Sequence, residues 1–124
     1  MKTRPTMMLS SAIEIATGLA LLAAPDLVAR LLLGTGLSES GIAVARLAGC
    51  GLLSLGLACW PGGTAPTPNA TRALFTYNLL AGLYLGYLRV GGGFVSFLLW
   101  PACAVHVAFA ALLARPALRA VKPE

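Results

Sequence analysis

Four residues of this chain are ionisable or strongly polar within otherwise apolar runs: Glu14, Arg46, Asn78 and His106. Inside hydrocarbon such groups are costly, and they mark ligand sites, proton relays or polar contacts between helices. A carboxyl and an imidazole can each exchange protons, and an amide can orient either one. Glu14, Asn78 and His106, with Tyr77 beside them, therefore form a candidate layer for holding a polar head group or passing a proton. The same residues would equally serve as a lock, satisfying one another and tying helices together at modest energy per bond.

Spacing gives the faces on which these residues stand, because helix positions four apart lie above one another. Ser10 and Gly18 flank Glu14, Cys50 and Ser54 continue from Arg46, Gly82 and Gly86 follow Asn78, and Ala102 and Ala110 bracket His106. Each polar residue thus shares a stripe with small residues, the kind of face along which membrane helices touch, so all four are expected to point inward. Gly49, Gly82 and Gly86 are the expected packing positions. Arg46 is further expected to reach Asp26 or a lipid phosphate by snorkelling, although an inward guanidinium could also hold an anionic ligand.

Other chemistries lack their residue patterns. Cys50, Cys59 and Cys103 contain no Cys-x-x-Cys pair and suit inert packing roles. A lone His makes no metal centre, and neither a Gly-rich phosphate loop nor a Ser-His-Asp order occurs. No catalytic residue, metal or resident cofactor is expected, although a bound lipid or quinone would suit the polar layer.

Four apolar runs must position these residues, at about 8–26, 42–60, 71–89 and 94–115, each roughly long enough to cross about 30 Å of hydrocarbon. An amphipathic stretch from Leu27 to Gly34 reads as an extension of the first run or a short interfacial turn. Turn chemistry separates the runs at Gly34–Gly41, at Pro61-Gly62-Gly63 with Pro66 and Pro68, and at Gly91-Gly92-Gly93. Pro101 falls inside the fourth run and predicts a kink there. Trp60 reads as an interfacial belt residue, whereas Trp100, deeper in its run, is expected to pack or to line a pocket. Glu14 in the first run argues against a cleaved signal peptide. With about 1.5 Å of rise per residue, Glu14, Asn78 and His106 should lie roughly 10 Å in from one side, with Arg46 nearer the other.

The composition of the 124 residues agrees with this architecture: 58% are hydrophobic and only 10% charged, against about 25% charged in soluble domains. The expectation is a single all-α integral membrane domain, a four-helix bundle. Its net charge of +5 would suit nucleic acid only on an aromatic-interleaved basic face, which is missing; the expected partners are membrane lipids. Lys2, Arg4, Arg72, Arg115, Arg119 and Lys122 share one side, so both termini should be cytoplasmic, as for a multi-pass protein of the bacterial inner membrane.

The stretch Ala45-Arg46-Leu47-Ala48-Gly49 followed by Leu52-Leu53-Ser54-Leu55-Gly56, with Pro25 and Leu31-Leu32-Leu33-Gly34 before it, resembles small bacterial four-helix membrane proteins of the DoxX-like kind. The resemblance implies a compact bundle, associated in some relatives with membrane redox complexes, and Arg46 as a recurrent position. Two functions are expected in competition, beside a third, an enzyme acting within the bilayer, for which nucleophile and metal constellations are missing. One is a non-catalytic accessory or assembly subunit, packed against a larger membrane complex or against itself. The other is a binder or transporter of a small hydrophobic or amphiphilic molecule, lipid or quinone, held at Glu14, Asn78, His106 and Tyr77 with Arg46 at the outer entrance.

Overall fold

A computed structural model describes residues 3–63 and 65–119. Lys2 and Lys122, two of the expected orientation signals, lie outside the described residues. Among those described, the chain forms five helices and no strands: α1 Thr3–Ala23, α2 Pro25–Leu33, α3 Glu39–Cys59, α4 Pro68–Val90 and α5 Leu99–Arg119. Helices α1, α3 and α5 are long and apolar enough to cross a membrane. α4 is as long, but Asn69, Thr71, Asn78 and three tyrosines leave it more polar and outside that set.

The outer faces of these helices are apolar. Leu47 is 72% exposed and Leu83 63%, and large hydrophobic side chains are open on every helix. Burying one such side chain is worth about 1.5–3 kcal/mol, so a surface carrying this many cannot face water. This is a membrane protein.

The long helices pair antiparallel, α1 along α3 and α4 along α5. Glycine brings the first pair together. A Cβ on Gly49 would stand 2.8 Å from the Gly18 carbonyl oxygen, and one on Gly56 would stand 2.7 Å from that of Ser11. In the second pair Gly82 lies tightly against Val107, with an added Cβ 3.0 Å from its Cγ2, while Gly86 meets the Cys103 sulfur at an ordinary 3.6 Å. Met7, Cys59, Leu74 and Leu113, one from each long helix, form a packed core at the end where α1 begins. Arg4 Nη2 donates to the Gly62 carbonyl there, at 3.3 Å.

At the opposite end the amphipathic stretch is a helix of its own. Ala24, with φ −142° and ψ 62°, is the single residue separating α1 from α2, and Pro25 opens α2 in the first turn, where a missing N–H costs nothing. Gly34 ends α2 in the left-handed region at φ 77°. A Cβ there would also stand 2.6 Å from the Val95 carbonyl oxygen. Asp26 then closes the α2–α3 connection: Oδ2 takes the Arg30 Nε–H at 2.7 Å, and Oδ1 takes the Leu37 N–H at 2.7 Å. Asp26 is therefore not available to Arg46, and the expected contact between them is replaced by one within α2.

These bonds, the Arg30 guanidinium foremost and the Leu37 amide next, hold the Asp26 carboxyl below its ordinary acidity range. Because the folded value is depressed, the contribution to stability is complete above the unfolded value of about 4 and disappears as pH falls through the folded value. Thermal unfolding in detergent from about pH 6 down to about pH 2 should therefore show an acid-side loss that Asp26→Ala flattens. Identical pH profiles for the two proteins would rule this out.

Three further expectations fail in the fourth run. Its helix starts at Leu99 rather than Phe94, because Gly93 at φ 72° reverses the chain and Ser96 Oγ accepts the Leu98 N–H. Pro101 consequently lies in the first turn of α5 and kinks nothing; the proline within the helix is Pro116, near its far end. Trp100 is 53% exposed at a helix terminus and is an end-of-helix aromatic like Trp60, not a pocket wall.

Candidate functional site

Three helices converge on Asn78. Its Nδ2 lies 2.8 Å from the Leu74 carbonyl oxygen and 3.0 Å from Ser10 Oγ. Only the NH2 side of an amide can donate to a carbonyl, so Asn78 Oδ1 must be the atom 2.9 Å from His106 Nδ1. His106 Nδ1 therefore carries the hydrogen in this bond, and the neutral ring keeps Nε2 as an acceptor. The bonds link α1, α4 and α5 through fully buried Ser10 and Asn78.

Glu14 stands one turn beyond Ser10 on the same face of α1 and is 1% exposed. Tyr77 interacts with its carboxyl across the α1–α4 contact, while Oε1 has no hydrogen-bond partner among the described residues. The Tyr77 ring also meets the His106 ring edge-on, with centroids 5.6 Å apart and planes at 81°. Ser10, Asn78, His106, Tyr77 and Glu14 thus follow one another around a circuit whose two ends, Ser10 and Glu14, stand one turn apart on α1.

This circuit brings together Glu14, Asn78, His106 and Tyr77, as the small-residue stripes predict. The helices extend beyond their apolar runs at the Arg4 end, so Glu14 lies about 16 Å along α1 and Asn78 about 15 Å along α4, close to mid-helix. Arg46 does not join them. It is exposed on the outer face of α3 together with Cys50 and Ser54, whose hydroxyl donates back to the Cys50 carbonyl at 2.8 Å. The buried side of α3 belongs to Gly49 and Gly56 instead, because only glycine permits the close approach to α1. Cys103 is buried on α5 with its thiol 3.3 Å from the Gly82 carbonyl oxygen, and faces away from Cys50 on the outside of α3.

Directly beyond the circuit, toward α2, the helices part around a cleft of about 810 Å³. Tyr77 and His106 line the end nearest Asn78. Ile13 and Thr17 from α1, Leu80 and Tyr84 from α4, and Val105 from α5 contribute walls. Val28, Leu31 and Leu32 of α2 close the other end. Neither Glu14 nor Arg46 lines the cleft.

No family model, curated protein or solved structure gives a significant match to this chain.

The cleft offers a large, mostly apolar space whose hydrogen-bonding side chains are Thr17, Tyr77, Tyr84 and His106. The α2 wall was not legible as such in the sequence, although the alternation of Leu and Val with Asp26 and Arg30 marks one apolar side of that segment. Ser10 was visible on the Glu14 stripe, but nothing in one sequence names its partner as Asn78.

Proposed function

We propose that this chain crosses the membrane four times, α4 alongside the three more apolar helices, as a four-helix bundle that binds a small hydrophobic or amphiphilic molecule. The cleft carries this proposal: its volume of about 810 Å³ falls within the roughly 300–1,000 Å³ typical of ligand pockets, and its mostly apolar walls carry a few polar side chains, Thr17, Tyr77, Tyr84 and His106. Arg4, Arg72, Arg115 and Arg119 lie at the end where the core is packed, which favours a cytoplasmic position for both termini. A bacterial inner membrane is the setting this charge distribution suits.

Val105→Trp tests the binding role, because the indole would fill the cleft from the α5 wall. Native mass spectrometry of protein extracted in mild detergent should detect a retained lipid- or quinone-sized molecule on the wild type, and at least about tenfold less on the variant, the equivalent of about 1.4 kcal/mol. A wild-type protein that emerges empty from several detergents would reject the proposal.

A second role has its own support. Arg46, Cys50 and Ser54 form a polar stripe on the exposed face of α3, where lipid alone offers few partners. An accessory subunit, DoxX-like in kind, would set this stripe against a helix of a larger membrane complex or of a second copy. Isolation as a sole stable monomer, with nothing co-purifying, would count against that role.

A further inference from the structure

The cleft runs from Tyr77 and His106 at its deep end, past Thr17 and Tyr84 on its walls, to the apolar side chains of α2. Tyr77 and His106 stand near mid-helix, whereas Val28, Leu31 and Leu32 belong to α2, beyond the end of α1. An amphiphile whose head group meets His106 carries that group toward the middle of the membrane, with its apolar body toward α2. A phosphate or carboxylate head would be stranded there, since among the described residues no Lys or Arg lines the cleft and the Glu14 carboxyl stands behind Tyr77. The one nearby guanidinium of α2, on Arg30, is committed to Asp26.

Hydrogen bonding at the deep end narrows the choice further. His106 Nδ1 is committed to Asn78 Oδ1, which leaves Nε2 of the neutral ring as an acceptor. The Tyr77 side chain is engaged with Glu14. A head group that only accepts hydrogen bonds, such as a ketone, would find no partner in His106 Nε2, whereas a hydroxyl can donate to it.

Building on the proposed binding role, we infer that the ligand is an uncharged long-chain or polycyclic alcohol or phenol, held head-inward, which donates its O–H to His106 Nε2. Fluid hydrocarbon around the bundle can supply such a molecule laterally, and its apolar body takes the place that lipid chains would otherwise occupy against Leu80, Val105 and α2.

Four probes of one chain length test this on the purified full-length protein in detergent: a primary alcohol, the matching methyl ketone, the carboxylate and the trimethylammonium. Dissociation constants are measured for the wild type, His106→Ala, His106→Phe and Val105→Trp. The alcohol should bind at least about tenfold tighter than either charged probe and about five- to tenfold tighter than the ketone. In both His106 variants the alcohol-to-ketone ratio should fall to about one, a readout that general loosening of the bundle would not produce because both probes would weaken together. Val105→Trp should reduce all binding. A charged probe that binds as well as the alcohol, or a ratio that survives the loss of His106, overturns the head-inward alcohol while leaving the cleft as a binding site. If no probe binds, or Val105→Trp has no effect on binding, both this inference and the binding role fall.

Discussion

Replacing Gly49 with Leu should destabilise the protein by about 3 kcal/mol or more, the upper range for forcing bulk into a packed contact. The first carbon of any side chain at this position would stand 2.8 Å from the Gly18 carbonyl oxygen and 3.0 Å from Leu21 Cβ. A backbone carbonyl on a neighbouring helix cannot swing aside as a side chain can, so α1 and α3 would have to separate along their length. Gly51 supplies the control, since it lies on the same helix with open space where its Cβ would be. Thermal unfolding in detergent should show a large fall for Gly49→Leu and little change for Gly51→Leu. Equal effects would mean that glycine in α3 matters through helix propensity and not through the crossing.

The second large effect is expected at Asn78. Truncation to Ala removes its bonds to Ser10, Leu74 and His106 together, leaving a hydroxyl and an imidazole N–H without their partner in a region water does not reach. Side-chain hydrogen bonds between membrane helices are individually modest, about 0.6 kcal/mol on average and up to about 2, so the expected total is about 2 kcal/mol. The distinguishing measurement is a double-mutant cycle with Ser10→Ala. Because Asn78→Ala already leaves Ser10 unpaired, the second substitution should cost less in that background than in the wild type. Strict additivity would show that the Ser10–Asn78 bond contributes nothing to holding α1 against α4.

Much of the helical layout was legible because it rests on apolar length and turn chemistry. Pro61-Gly62-Gly63 and Gly91-Gly92-Gly93 do separate helices, and Ser38 and Thr67 cap α3 and α4 within a few residues of the expected starts. The convergence of Glu14, Asn78 and His106 was legible for a similar reason, since helical spacing alone put each on a stripe of small residues. The same argument failed for Arg46. Its stripe with Cys50 and Ser54 is small and polar, but a second small face on α3, Gly49 and Gly56, permits closer approach to α1 and takes the interior. Spacing identifies faces without ranking them, and the ranking depends on how near two backbones can come. The start of α5 was missed for a local reason. Phe94, Val95 and Phe97 are as apolar as a membrane helix, yet Gly93 and the Ser96 turn divert them into a connection that packs against α2.

Chain order gives the two helix pairs different histories. α1 and α3 are both present once the ribosome has passed Cys59, whereas α4 and α5 lie entirely downstream. N-terminal units generally fold first during synthesis, and the glycine contacts that zip α1 to α3 need nothing that follows. Ser10 and Glu14 are therefore committed to their helix before Asn78, Tyr77 and His106 have been made. The carboxyl and the hydroxyl thus belong to the first pair to be synthesised, and the second pair brings them their partners, Tyr77 and Asn78.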